Sequence, residues 1–255
     1  MIQRIQSWLD WLGEHTNVVL VGVLLVVLGT WAFIALADEV KEGDTQHFDN
    51  WAIRALRRAD APEVPIGPPW LAEVARDMTA LGGVAVMALV TGTVAGFLAI
   101  KRMRGAMWLV VGSTAGGLII STALKHVYHR PRPQLVAHLS LVYTSSFPSG
   151  HSMLSAVVYL TLGAQLARFV HQRRLKLYLM GVALLLTFLV GVSRVFMGVH
   201  YPTDVLAGWA AGLTWSLACW LVARHLQRRG AVEGEMREEH AERGTPAERR
   251  MTNDE

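Results

Sequence analysis

NVVLVGVLLVVLGTWAFIALA, residues 17–37, holds twenty-one positions without one charged side chain. Crossing a bilayer takes about 20 mostly apolar residues, because a helix rises about 1.5 Å per residue through a hydrocarbon core about 30 Å thick. Five more runs approach that length, at 78–100, 106–124, 153–170, 177–192 and 205–223. The fold class expected is all-α: a polytopic membrane protein with six transmembrane helices. Composition agrees, since 255 residues with 52% hydrophobic and 17% charged content fall outside the soluble globular class.

The first run also has a signal-peptide reading, with Ala35-Leu36-Ala37 as a small-residue cleavage site before Asp38. An uncleaved anchor is favoured. The run is longer than a signal's apolar region, and Arg4 stands ahead of it with Asp10 and Glu14 rather than in a basic cluster. Gly112, Ser113, Gly116 and Gly117 suit close helix packing in lipid and need no catalytic explanation.

Lysine and arginine placement sets the expected orientation. Lys101, Arg102 and Arg104, then Arg173, Arg174 and Lys176, then Arg224, Arg228 and Arg229 mark cytoplasmic ends. Residues 38–77 carry nine acidic against five basic side chains and belong on the opposite side. Both termini are then cytoplasmic, with 1–16 a short N-terminal segment and 17–229 the membrane domain. Residues 38–77 form a periplasmic or extracellular segment, an amphipathic helix followed by a proline-rich turn. The charged tail at 230–255 reads as disordered.

Other classes are set aside by chemistry. The single cysteine, Cys219, lies in an apolar run and can build neither a disulfide framework nor a cysteine metal site. A net charge of +4 does not imply nucleic acid, because the basic residues sit in short clusters between apolar runs.

The expected outer loops gather an unusual set. KHVYHRPRP (125–133) carries Lys125, Arg130 and Arg132; FPSGHS (147–152) carries Ser149, Gly150 and His151; SRVFMGVHYPTD (193–204) carries Arg194, His200 and Asp204. Singly, each has a plainer reading: a snorkelling anchor for Lys125 or Arg130, a helix start for His151, a helix cap for Asp204. Together, ionisable groups at one membrane face point to function. Lys125, Arg132 and Arg194 suit phosphate oxygens, and Ser149-Gly150 opens a helix whose N–H groups favour an anion. His200 with Asp204 has the form of a nucleophile and its orienter, and His151 that of a general acid and base. The cations stabilise charge as it spreads over phosphorus, so this chemistry requires no metal or cofactor.

These motifs resemble the type 2 phosphatidic acid phosphatase superfamily of integral membrane lipid phosphatases. Its three-part signature is matched by Lys125 to Pro133, Pro148 to His151 and Ser193 to Asp204, in order and spacing. The resemblance implies His200 as nucleophile, His151 as general acid and base, and Asp204 as partner of the nucleophile. It implies Lys125, Arg132, Ser149, Gly150 and Arg194 as the phosphate-binding set, and an active site at the outer membrane-water interface. Arg130 is an additional cation, either an aid to a diphosphate or an interfacial anchor. The implied activity is hydrolysis of a lipid phosphate or diphosphate through a phosphohistidine. Undecaprenyl diphosphate stands first, with phosphatidylglycerol phosphate and phosphatidic acid next. A lipid phosphotransferase, a vanadate haloperoxidase and a non-enzymatic anion or lipid transporter are the alternatives.

Overall fold

The computed structural model describes residues 2–134 and 144–228, with side chains from residue 18 onward. The tail expected at 230–255 and the charges of 1–16 lie outside that description. Eight helices are present among the described residues: α1 Ile2–Glu42, α2 Gln46–Ala55, α3 Pro69–Ala80, α4 Val84–Ile100, α5 Arg104–Val127, α6 Gly150–Arg168, α7 Arg173–Phe196 and α8 Pro202–Arg228. No strand occurs among these residues; Arg57 and Pro65 form one isolated bridge.

By length and composition, α1 from Val18, α5, α7 and α8 to Gln227 are able to cross a membrane, and α3 with α4 does so as a pair bent by 48°. The run expected to be continuous over 78–100 is thus broken. Leu81-Gly82-Gly83 interrupts it, as two adjacent glycines weaken a helix and their N–H groups turn back to Thr79 and Ala80. The break has a packing role: a Cβ on Gly82 would stand 3.2 Å from His151 Cβ.

α6, expected as a span at 153–170, does not qualify as one by length and composition, so four such helices, or five with the bent pair, stand where six were expected among the described residues. It packs against α4, α5, α7 and α8, and it buries Ser152, Ser155, Thr161 and Gln165 along with its apolar residues. A helix surrounded by helices does not need a lipid-compatible surface, so the hydropathy signal fades where the bundle is densest. Gly208 and Gly212, one turn apart on α8, let the two backbones meet. A Cβ at either would lie 2.6 Å from a carbonyl oxygen, of Ser149 or Met153. Of the small residues on α5, Gly117 faces Val157, Gly116 faces Trp215 and Ser113 is buried, but Gly112 faces open space.

α1 is built into this core. Its Phe33 and Ala37 pack with Phe147 and Ala207, and the Phe33 ring lies 5.9 Å from that of Phe147, beside the Pro-Ser-Gly-His loop. The segment between α1 and α4 holds the expected amphipathic helix: α2 buries Asp49 and Ile53 and exposes Phe48 and Trp51. α3 packs on α7.

Candidate active site

The C-terminal end of α5, the N-terminal end of α6 and the α7 to α8 turn meet at one end of the bundle. His200 lies in that turn, 1% exposed, with Nδ1 3.4 Å from Asp204 Oδ2. Its Nε2 is 3.2 Å from Arg132 Nη1. A guanidinium only donates, so Nε2 presents its lone pair toward Arg132 and Nδ1 carries the proton toward Asp204. That tautomer leaves the unprotonated nitrogen on the cationic side.

Asp204 is held from several directions. Oδ2 accepts from Ser146 Oγ and, at 2.9 Å, from the Tyr201 N–H; Oδ1 accepts from Arg130 Nη1 at 2.6 Å. The Tyr201 contact is a helix cap, an acid in the first turn reaching back to the N–H ahead of Pro202. Asp204 therefore caps α8 and faces His200 at once.

The Pro-Ser-Gly-His loop is fastened to the same carboxylate residue, with Ser149 N–H donating to the Asp204 carbonyl at 2.9 Å. Ser149 caps α6, its Oγ accepting from Ser152 Oγ at 2.9 Å and from Ser152 N–H. The Ser149 N–H is thus spent within the protein, while those of Gly150 and His151 make no hydrogen bond among the described residues, and a helix start with open N–H groups favours an anion. Gly150 sits close against its neighbours: a Cβ would stand 3.3 Å from Lys125 Cε and from Ser121 Oγ, so these side chains would have to give by a few tenths of an ångström.

Three cations converge here. Lys125 Nζ donates to the Ser145 carbonyl at 2.8 Å. Arg132 is anchored by the carbonyls of Val199 at 2.7 Å and Thr144 at 2.8 Å. Arg194, 2% exposed, gives Nη1 to Thr79 Oγ1 at 3.0 Å, and its buried Nε has no hydrogen-bond partner. A buried donor left open costs about 1–3 kcal/mol, and more when charged, so the open Nε of Arg194 is a position where an anion would be favoured. His151 is half-buried, lies within electrostatic reach of Arg194, Lys125 and Arg132, and its ring makes no hydrogen bond among the described residues.

Burial drives the His200 ring down to about 3, against the upward pull of Asp204, so the ring is neutral at ordinary pH. Burial works against the Arg130 charge as well, but Asp204 and Asp49 outweigh it and hold the guanidinium above its usual range. Arg130 is therefore neither an interfacial anchor nor a free cation. Its Nη2 donates to Asp49 at 2.7 Å, and its plane lies over the Tyr201 ring at 4.3 Å.

Motif spacing leaves out four residues at this site: Asp49, Thr79, Ser146 and Thr203. Asp49 had a local signal, a carboxylate one turn before Ile53 on the apolar stripe of α2. The others are hydroxyls whose partners are distant in sequence.

The PAP2 superfamily profile matches residues 106–228. Phosphatidylglycerophosphatase B of Bacillus subtilis (strain 168) is 37% identical over 188 residues, covering 71% of this chain and 86% of that protein. The chain belongs to the PAP2 superfamily. An undecaprenyl-diphosphatase of Sulfolobus acidocaldarius is 28% identical over 120 residues, 45% of this chain and 54% of that one. Among solved structures, the transmembrane PAP2 type phosphatidylglycerolphosphate phosphatase from Bacillus subtilis aligns with a TM-score of 0.69 at 27% identity, over 80% of this chain and 96% of that one. LpxE of Aquifex aeolicus shares the fold, with a TM-score of 0.52 at 23% identity over 68% and 94%. This PAP2 chain is thus an all-helical integral membrane protein.

Proposed function

We propose that the protein is a phosphatase that hydrolyses a lipid phosphate or diphosphate through a phosphohistidine on His200. The observation that carries this is the His200 geometry: Nδ1 toward Asp204, Nε2 beside Arg132, both in a buried pocket of cations. Nε2 attacks phosphorus in line as the bond to the leaving oxygen breaks, and His151, which takes up a proton once the negative charge of the bound phosphate offsets the surrounding cations, delivers it to that oxygen. Neutral His151 then takes a proton from water, whose oxygen displaces His200 and releases inorganic phosphate. Lys125, Arg132 and Arg194, with Ser149 and the Gly150 N–H, hold the equatorial oxygens while charge spreads over them.

Phosphatidylglycerol phosphate and undecaprenyl diphosphate are the first substrates to try, since the relatives carry those names. Their headgroups would reach the site from the interface while the tails stay in lipid. A panel of lipid phosphates in detergent micelles is expected to release inorganic phosphate, to do so in excess EDTA, and to be inhibited by vanadate. Loss of activity in chelator with recovery on magnesium would contradict the metal-independent mechanism. Phosphate passed to an added lipid alcohol in place of water would identify a phosphotransferase instead.

The site faces the periplasm or cell exterior in this proposal, with both termini cytoplasmic and 17–229 acting as one membrane domain. Lysine and arginine placement supports it: Lys101 and Arg102 sit in the α4 to α5 turn and Arg173 and Arg174 open α7, away from the site. His129 and Gln172 are exposed. In a Cys219→Ser background, His129→Cys is expected to react with an impermeant maleimide in intact cells, and Gln172→Cys only after permeabilisation. The reverse pattern would put the substrate in the cytoplasmic leaflet.

A further inference from the structure

The outer helix α2 sends one carboxylate into the site from outside the signature motifs. Asp49 is fully buried and makes three contacts there. Oδ2 accepts from Arg130 Nη2 at 2.7 Å and from Thr203 Oγ1 at 2.6 Å, while Oδ1 accepts from Thr203 N–H at 3.2 Å. Arg130 completes the bridge, with Nη1 on Asp204 Oδ1 at 2.6 Å and on Thr203 Oγ1 at 2.9 Å. One guanidinium is thus shared between two buried carboxylates.

That sharing has an electrostatic consequence for the nucleophile. A cation bonded to a single buried carboxylate neutralises it, and the weakened acceptor then polarises its histidine less. With Asp49 present, Arg130 divides its charge, and the cluster of Asp49, Arg130 and Asp204 keeps one net negative charge next to His200. Asp49 also pins Thr203, the residue immediately before Asp204 in the first turn of α8, so position and charge are set together. Building on the assignment of His200 as nucleophile, we infer that Asp49 is a positioning residue: it holds Arg130 back from full neutralisation of Asp204, so that Asp204 can orient His200 and stabilise the positive ring formed during transfer. Arg130 fixes the distance between the two carboxylates, and α2 becomes part of the catalytic architecture as well as a cap.

A purely structural Asp49 would behave differently on double substitution. Asp49→Asn keeps an oxygen for the Thr203 N–H and removes the charge, leaving Arg130 with Asp204 alone. Its kcat is expected to fall about tenfold to a hundredfold with KM within about twofold, as for a displaced or mis-tuned reacting group. Arg130→Gln in the Asp49→Asn background removes the excess positive charge and still offers an N–H to Asp204, so kcat is expected to recover several-fold over Asp49→Asn. Wild-type kcat in Asp49→Asn would overturn the inference, as would a double variant no faster than Asp49→Asn.

A second readout does not depend on turnover. In protein labelled with ¹⁵N-histidine, Asp49→Asn is expected to move the His200 Nδ1 resonance toward a weaker N–H···O bond, and the double variant to move it back. An unmoved resonance contradicts the role of Asp49. These shifts in the variants of a protein whose wild type releases phosphate from no lipid would count against the phosphatase reading alone.

Discussion

His200→Asn is expected to lower kcat by about 10⁴-fold or more, the scale seen when a member of a nucleophilic constellation is removed, while vanadate still binds. The cation pocket survives the change, but no nitrogen remains to attack phosphorus. His200 is 1% exposed, so Ala at this position also opens a cavity, and His200→Ala is expected to lose thermal stability as well as turnover. Asn keeps polarity and fills more of the space than Ala, which reduces the stability effect relative to the catalytic one. The pH profile carries a related expectation. Since burial holds His200 at about 3, the ring stays unprotonated as pH falls through the ordinary histidine range. The acid limb of kcat/KM near pH 6 to 7, if there is one, then belongs to another group and is unchanged by substitutions that alter only the Asp204 contacts. Wild-type turnover in purified His200→Asn would remove the mechanism.

Arg194→Lys is the second large effect. The side chain is buried, is held through Nη1 by Thr79 at 3.0 Å, and keeps Nε without a hydrogen-bond partner. Lysine preserves the charge but replaces a planar fork by one ammonium, which cannot hold Thr79 and a phosphoryl oxygen at once. A loss of about 10²- to 10³-fold in kcat/KM is expected, comparable to removal of one preorganised transition-state donor, together with weaker vanadate inhibition. Thr79→Val frees the guanidinium without removing it and is expected to cost about tenfold. Equal losses for Arg194→Lys and Thr79→Val would mean that the anchor, not the fork, matters.

Much of this architecture is legible in the sequence because two of its signals are local. Apolar runs locate the lipid-crossing helices, and the signature spacing brings Lys125, Arg132, Ser149, Arg194, His200 and Asp204 to one end of the bundle. The signals fail where context overrides composition. The 153–170 run reads as a span although α6 meets other helices over most of its surface, and the 81–83 break is hidden inside an apolar run where only paired glycines mark it. Arg130 has two readings in sequence because its partner Asp49 lies 81 residues away, on a helix with no motif. Thr79 is 115 residues from Arg194, and no local pattern joins a hydroxyl on α3 to an arginine on α7.

The most direct test of the central claim is to trap the intermediate. Wild-type protein mixed with a ³²P-labelled lipid phosphate and quenched in alkali within one turnover is expected to carry acid-labile, alkali-stable label on the peptide containing His200, and His200→Asn none. Label on His151, or phosphate released in a single turnover with no labelled protein at any time, would contradict it.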